Sequence, residues 1–151
     1  NVVTDYVEIN GTARSFSREI RANIQSMMAE VAENTAKAFG CTASVEYKYN
    51  TPAVIHDSPL MNRIAMDAAL KLYGPEGVEL RKPVAASDDF SYFSEVKPGL
   101  FAFIGACNEE KDCAYGHHHP KFNIDEDAFV RGTAMYAQVA VDFLADKEDS
   151  K

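Results

Sequence analysis

Two kinds of apolar periodicity follow one another in the first fifty residues, and their order constrains the fold more than any other feature. Residues 2–9 and 43–50 alternate apolar with polar side chains, as half-buried strands do. Between them, after an N-cap at Ser17, apolar residues recur at helical spacing as far as Phe39 and Gly40. A strand–helix–strand unit is too small to close a core alone, so we expect further strands to complete its sheet.

The rest of the chain continues this alternation, and we place a domain boundary between Thr51 and Pro52, giving domains 1–51 and 52–151. The pattern predicts a helix from Pro59 to Gly74, capped by Asp57 or Ser58, and then a short helix opened by Ser87, Asp88 and Asp89. A strand over 100–105 follows. A last helix begins at residues 123–125 and frays from Asp146. The last helix is expected to turn Phe129, Tyr136, Val139, Ala140 and Phe143 inward. Strands alternating with helices predict an α/β fold.

Three of the chain's four histidines lie together, between Gly116 and Pro120. Imidazole is the commonest metal ligand at neutral pH, so the run is either part of a metal site or a solvated polar loop. Adjacent side chains point in different directions, so one of these histidines, or two at most, would face one ion. The other candidate ligands form no spaced pair: His56, Cys41, Cys107 and Cys113. If the turn binds metal, we expect most of the remaining ligands to lie outside these residues.

Length and charge narrow the class of protein. The chain has 151 residues, is 46% apolar and carries a net charge of −8, which disfavours nucleic acid or an anionic membrane as partner. No apolar run approaches the roughly 20 residues of a membrane span. Three irregularly spaced cysteines fit reduced thiols in a cytoplasm, although Cys107 and Cys113 are near enough in sequence to bridge in an exported protein. Because strand-like sequence begins at the second residue with no initiator Met, we expect a fragment of a longer protein.

Several motifs together resemble one family. They are GHHHPKF at 116–122, IDE at 124–126, SDDFS at 87–91 and PGLFAFIG at 98–105, with NVV at 1–3 and GTAR at 11–14. The first four are similar, in order and spacing, to the C-terminal signature of the aminoacylase/carboxypeptidase G family of metallopeptidases, and the last two resemble the lid domain of the same family. The branch they most resemble contains hippurate hydrolase, N-acyl-amino-acid amidohydrolases and auxin-conjugate hydrolases.

The resemblance implies a fold and an activity. The fold would be half of a ferredoxin-like lid and dimerisation domain, followed by the C-terminal part of an α/β zinc-peptidase-like catalytic domain. The intact enzyme would hydrolyse the amide bond of N-acyl amino acids with water activated by divalent metal and a Glu general base from a half absent here. Two metals per subunit are implied, zinc or manganese, with cobalt or nickel as further options. A homodimer through the lid domain is implied as well.

The resemblance also assigns residues. It places the family's metal-ligand histidine at His118 and puts His119 at a position where the family accepts Ser, Asn or His; His117 would lie beside the metal site without contacting the ion. Asp88 stands where close relatives have Glu, so its role stays open between the site and a helix cap. Arg14 and Asn1 occupy lid positions that grip a substrate carboxylate in carboxypeptidase-like relatives. No catalytic residue is assigned within this chain.

A second hypothesis comes from a different class of protein. In it the chain is a non-catalytic dimerisation or binding module, its lid strands pair across a two-fold axis, and the histidine turn is structural. The sequence encoded upstream distinguishes the two hypotheses. A half rich in Asp, Glu, His and Cys before Asn1 supports the enzyme, whereas a start codon there supports the module.

Overall fold

A computed structural model describes residues 1–55 and 58–149, with the side chains of residues 147–149 left out. The described residues form four α-helices and one short 3-10 helix. They are α1 (Arg18–Ala38), α2 (Pro59–Tyr73), the 3-10 helix Pro75–Gly77, α3 (Phe90–Val96) and α4 (Asp127–Asp149). No helix in this described part is both long and apolar enough to cross a membrane.

Helix α1 begins and ends at the predicted signals. The Ser17 side chain accepts a hydrogen bond from the Ile20 backbone N–H at 3.2 Å. At the other end Gly40 has a φ of 71°, its N–H donates to the Lys37 carbonyl, and the Cys41 N–H donates to the Ala36 carbonyl. This pair of bonds is a Schellman motif, which satisfies the last carbonyls of a helix.

Helix α2 is likewise bounded by local chemistry. Its N-cap is Ser58, whose hydroxyl accepts from the Met61 N–H at 3.3 Å, and Pro59 takes the first helical position. Gly74 ends the helix with a φ of 67°, which residues with a Cβ rarely adopt. Asp57, the other predicted cap, lies outside the described residues.

The strands predicted over 2–9, 43–50 and 100–105 do not form, since the described residues contain no strand. Their sole β pairing is an isolated antiparallel bridge between Asn108 and Cys113. A strand exists only when a neighbour accepts and donates its backbone hydrogen bonds. The segment around 43–50 instead touches α1, because the Tyr49 hydroxyl donates to the Ala22 carbonyl at 3.2 Å and Arg21 donates to the Asn50 carbonyl at 2.7 Å.

The described chain divides into two compact units, the first made of residues 1–55 with 83–95 and the second of the remaining described residues. The predicted boundary between Thr51 and Pro52 stays a prediction.

The core of the second unit lies between α2 and α4. Ile64, Ala65 and Ala68 of α2 are buried, as is Ala128 of α4. The two helices run antiparallel. Two ion pairs join them, between Arg63 and Asp146 and between Lys71 and Asp142 at 3.2 Å, and the Tyr73 hydroxyl donates a hydrogen bond to the Arg131 carbonyl.

Helix α4 differs from its prediction in bounds and in orientation. It begins at Asp127 and continues to Asp149, beyond the predicted fraying point. Val139 and Phe143 are half-buried as expected, but Phe129 and Tyr136 are 57% and 85% exposed and Ala140 is also exposed. The face that packs on α2 begins at Ala128, one residue before the predicted stripe, and this turns Phe129 and Tyr136 away from the packed face.

Candidate functional site

The histidine run folds as two consecutive turns. The His119 N–H donates to the Gly116 carbonyl at 3.2 Å, and the Phe122 N–H donates to the His119 carbonyl at 2.9 Å. His118 has a φ of 68°, in the left-handed region where few residues other than glycine, asparagine, aspartate and histidine occur. His118 therefore differs from His117 and His119 in having a left-handed backbone conformation.

Two of the three imidazoles are engaged by the protein itself. The His117 ring meets Phe122 edge-on, with ring centroids 5.1 Å apart. The His119 ring stacks on Tyr115 at 4.4 Å and 11° between planes, and its Nδ1 accepts from the Lys121 backbone N–H at 3.1 Å. Because Nδ1 accepts, neutral His119 carries its proton on Nε2.

His118 is the exception. Its side chain is exposed, and among the described residues it makes no hydrogen bond, ion pair or ring contact. Both ring nitrogens are thus open to a group from outside the described residues. The turn presents one imidazole while the other two hold the turn in place.

An apolar cavity of about 710 Å³ lies beside the turn, within the second unit. His117 and Phe122 form part of its wall, together with Ile104, Cys113, Phe129 and Tyr136. The exposed apolar face of α4 therefore lines this cavity.

A short loop before the turn is fixed by Asp125. Asn108 and Cys113 exchange backbone hydrogen bonds of 3.2 and 2.8 Å, which close the loop. The Asp125 carboxylate accepts from the Asn108 side chain and from Lys111 Nζ, both at 2.7 Å, and the Asp125 N–H donates to the Ala106 carbonyl at 2.9 Å. Lys111 also contacts Asp127 at 2.6 Å.

These contacts shift the ionisation of the groups involved. The hydrogen bond from Lys111 is the largest cause that lowers the pKa of Asp125 to about 2, and the bond from Asn108 adds to it. In turn Asp125 raises the pKa of Lys111, so both groups are charged at neutral pH. Burial raises the pKa of the Cys113 thiol, which keeps it protonated.

Comparison with known proteins identifies the family. The family model for peptidase family M20/M25/M40 matches residues 4–142. The chain belongs to peptidase family M20/M25/M40. Membership implies an α/β fold, of which the described residues supply helices, and enzymes of this family generally depend on divalent metal ions.

Individual relatives agree with this assignment. The chain is 28% identical over 144 residues to thermostable carboxypeptidase 2 of Saccharolobus solfataricus, covering 95% of this chain and 36% of that protein. It is 32% identical to N-acetyl-L-cysteine deacetylase of Bacillus subtilis (100% of this chain, 34% of that protein) and to IAA-amino acid hydrolase ILR1-like 6 of Arabidopsis thaliana (97% and 32%). The chain thus spans about a third of the length of these relatives. No solved structure matches it.

The other residues that the M20 resemblance assigns lie in the first unit. Arg14 and Asn1 are exposed, and the Arg14 guanidinium donates to the Thr12 hydroxyl at 3.1 Å. Asp88 accepts from the Phe90 N–H at 2.9 Å through its Oδ1, so it caps the start of α3. The helix-cap reading of Asp88 therefore describes its contact in this structure.

The described residues do not complete a metal site. No group of three or more histidine, cysteine or acidic side chains in this part of the chain is arranged to hold an ion. Cys41 and Cys107 are exposed free thiols, Cys113 is a buried one, and His56 lies outside the described residues. The described residues therefore supply fewer than three ligands of a metal site, and the histidine turn is the part of the chain that would supply them.

Sequence reasoning did not find the residues that support the turn. Lys111 and Asp125 are 14 positions apart in a region with several other acidic residues, so no spacing rule singles out their pairing. The one available signal was IDE at 124–126, which entered only as part of a family motif. Ser91, fully buried with no hydrogen-bond partner for its hydroxyl among the described residues, was also not singled out for burial.

The Asp125 contacts predict a pH-dependent contribution to stability. The folded-state pKa of Asp125 is below its ordinary value, so its ionised form stabilises the fold above about pH 4, and this contribution is lost as pH falls towards about 2. We expect Lys111→Gln to lower the free energy of unfolding at pH 7 and to raise the pKa of Asp125 measured by NMR titration of its carboxyl carbon. The stability difference from the unmodified chain should shrink towards pH 2.

The matched control is Lys97→Gln, because Lys97 is exposed and makes no ion pair among the described residues. This change should leave both quantities unchanged. If the pKa of Asp125 in the unmodified chain is that of an ordinary aspartate, the ion pair with Lys111 does not form in solution.

Proposed function

We propose that this chain is the C-terminal part of a metal-dependent amidohydrolase that hydrolyses the amide bond of N-acyl amino acids or similar amides. Family membership supports hydrolysis. The names of the relatives support the bond type, since a deacetylase of N-acetyl-L-cysteine and a hydrolase of IAA-amino acids both cleave an amide at an amino acid. The non-catalytic module is not favoured, because these relatives are named as enzymes.

The observation that carries the proposal is the isolation of His118. A metal ligand needs a ring free to turn a nitrogen towards the ion, and His118 is the one histidine of the three whose ring makes neither a hydrogen bond nor a ring contact among the described residues. It also holds a backbone conformation that costs free energy, which is common at functional positions. His118 would hold one divalent metal ion, and the ion would supply the polarisation of water or of the amide carbonyl.

The contacts of His119 account for a feature of the family motif. Its Nδ1 accepts from the N–H two residues further on. Serine and asparagine side chains make the same contact in turns. The position thus needs a short-range acceptor, and the family accepts Ser, Asn or His there for that reason. His117, packed against Phe122, would keep the turn in place beside the metal without contacting it.

The rest of the metal site is assigned to the longer protein. No group of three possible ligands comes together among the described residues, whereas a catalytic ion needs about three from protein. We propose two ions per intact subunit, zinc or manganese, with cobalt or nickel as alternatives, because imidazole suits each of them.

Arg14 is proposed to bind the substrate's carboxylate, with Asn1 as a second contact. A guanidinium offers a planar pair of donors to a carboxylate. Among the described residues the Arg14 guanidinium makes one hydrogen bond, to Thr12, and the side chain is exposed, so other donors of the guanidinium remain available. An amide such as that of Asn1 would add a directional hydrogen bond.

The domain assignment is part of the proposal. Residues 1–51 would be half of a ferredoxin-like lid and dimerisation domain, and residues 52–151 the C-terminal part of the catalytic domain. We also assign the protein to the cytoplasm, on the support of three cysteines that are all free thiols.

The test of His118 uses the full-length enzyme at saturating metal. His118→Gly should abolish most metal-dependent turnover of an N-acyl amino acid while leaving the melting temperature unchanged or raised, because glycine adopts a φ of 68° without strain. His119→Ser should keep most activity. His117→Ala should cost roughly 10- to 100-fold at most, as for a residue beside the ligand.

Near-full activity in His118→Gly, together with loss of activity in His117→Ala or His119→Ser, would show that the metal ligand is not His118. A large fall in the melting temperature of His118→Gly would instead show that the ring is structural. Metal content measured on each variant separates a lost ligand from lost chemistry.

Association through the lid is the second testable part. Apolar side chains of the first unit are strongly exposed, among them Val2, Val3 and Ile9 at 97%, 92% and 91%. Unpaired extended segments and exposed apolar surface favour association with a second copy. We expect the chain to be a dimer or larger by light scattering, and Ile9→Asp to shift it towards the monomer.

Val130→Asp is the matched control, since Val130 is 75% exposed but lies on α4 of the second unit. That variant should associate as the unmodified chain does. A monomer mass for the unmodified chain at micromolar concentration contradicts the proposed dimer.

A further inference from the structure

The chain contains one Asn-Gly pair, Asn10-Gly11, and the structure leaves it unrestrained. The pair lies in a segment of the first unit that is neither helix nor strand, and both residues are exposed. A Cβ placed on Gly11 would meet nothing within 4 Å. Neither packing nor secondary structure therefore holds this dipeptide.

Its hydrogen bonds are also permissive. The Asn10 side-chain nitrogen donates to Glu8 Oε1 at 3.0 Å, an exposed contact between neighbours. The Gly11 N–H donates to no described residue. This nitrogen is thus free to approach the Asn10 side chain, an approach that a helix or a paired strand would prevent.

We propose that Asn10 is a site of spontaneous deamidation. The Gly11 backbone nitrogen loses its proton and attacks Cγ of Asn10, the bond from Cγ to the side-chain nitrogen breaks, and ammonia leaves with the proton. The product is a five-membered succinimide. Water then adds to one of its two carbonyls, and the ring opens to aspartate or isoaspartate. Water is the only co-reactant, and nothing is oxidised or reduced.

The remaining asparagines are protected by their neighbours or by structure. Each is followed by a residue with a side chain, which hinders approach of the nitrogen: Asn1, Asn23, Asn34, Asn50, Asn62, Asn108 and Asn123. Asn23, Asn34 and Asn62 also lie inside helices. Asn108 is held at both ends of its amide, since it donates to Asp125 at 2.7 Å and accepts from the Glu110 N–H at 3.1 Å.

The reaction would change the charge of a defined surface. Asn10, Thr12 and Arg14 line one cavity of the first unit, of about 1410 Å³. Deamidation places a carboxylate on this wall and, as isoaspartate, lengthens the backbone by one atom. The cavity wall that includes Arg14 would gain one negative charge, in a chain whose net charge is already −8.

The test follows the 151-residue chain at mildly alkaline pH by peptide mapping with mass spectrometry. Asn10 should convert to aspartate and isoaspartate faster than Asn50, Asn108 and Asn123. Gly11→Ala should slow conversion by about tenfold or more, because a Cβ restricts the backbone. We expect this variant to fold as the unmodified chain does, since the added Cβ would meet no atom within 4 Å.

A parallel incubation in denaturant separates structure from chemistry. The folded chain should react within about tenfold of the denatured rate, because no local unfolding must come first. A folded rate lower than that would show that the segment is held, and conversion at Asn10 no faster than at Asn50 would show that the dipeptide is not reactive. Either result overturns the proposal.

Discussion

The carboxylate of Asp125 closes the length of chain that carries the three histidines. Its backbone N–H bonds to Ala106, while its side chain binds Asn108 and Lys111. The histidine turn lies between these two ends of the closed loop. Asp125 also accepts from the Asp127 N–H at the start of α4, and α4 packs against α2. Asp125 thus connects the loop that carries the turn to the helical core of the second unit.

Within this loop two of the histidine rings contact other residues of the turn, and the third ring is left without contacts among the described residues. The Nδ1 atom of His119 accepts a hydrogen bond from the Lys121 N–H and its ring stacks on Tyr115. The His117 ring packs edge-on against Phe122. His118 keeps both nitrogens open among the described residues, at a left-handed φ that costs on the order of 1 kcal/mol. A left-handed backbone at the one ring without contacts supports the proposed ligand role of His118.

What the sequence predicted well was local. Ser17, Gly40, Ser58 and Gly74 specify helix ends through contacts within a few residues, and the structure confirms those ends. The strands predicted over 2–9, 43–50 and 100–105 were wrong for the described chain, because neither an alternating pattern nor a continuous apolar run says whether a partner strand is present. The inward face of α4 was misplaced by one residue, enough to expose Phe129 and Tyr136.

The candidate site shows the same limit. The choice of His118 over its neighbours came from family resemblance, whereas the distinct contacts of the three rings needed coordinates. The pairing of Lys111 with Asp125 was not predictable, since charge attraction favours many pairs and only the Asn108–Cys113 loop selects this one.

We propose that this chain contributes one metal ligand and that the remaining ligands come from other parts of the intact enzyme. The most direct measurement is the metal content and chelator-sensitive hydrolysis of N-acyl amino acids by the 151-residue chain, after loading with zinc or manganese and dialysis. We expect far less than one ion per chain and no such hydrolysis, since activating water needs a complete set of ligands. Stoichiometric metal with chelator-sensitive turnover would contradict it.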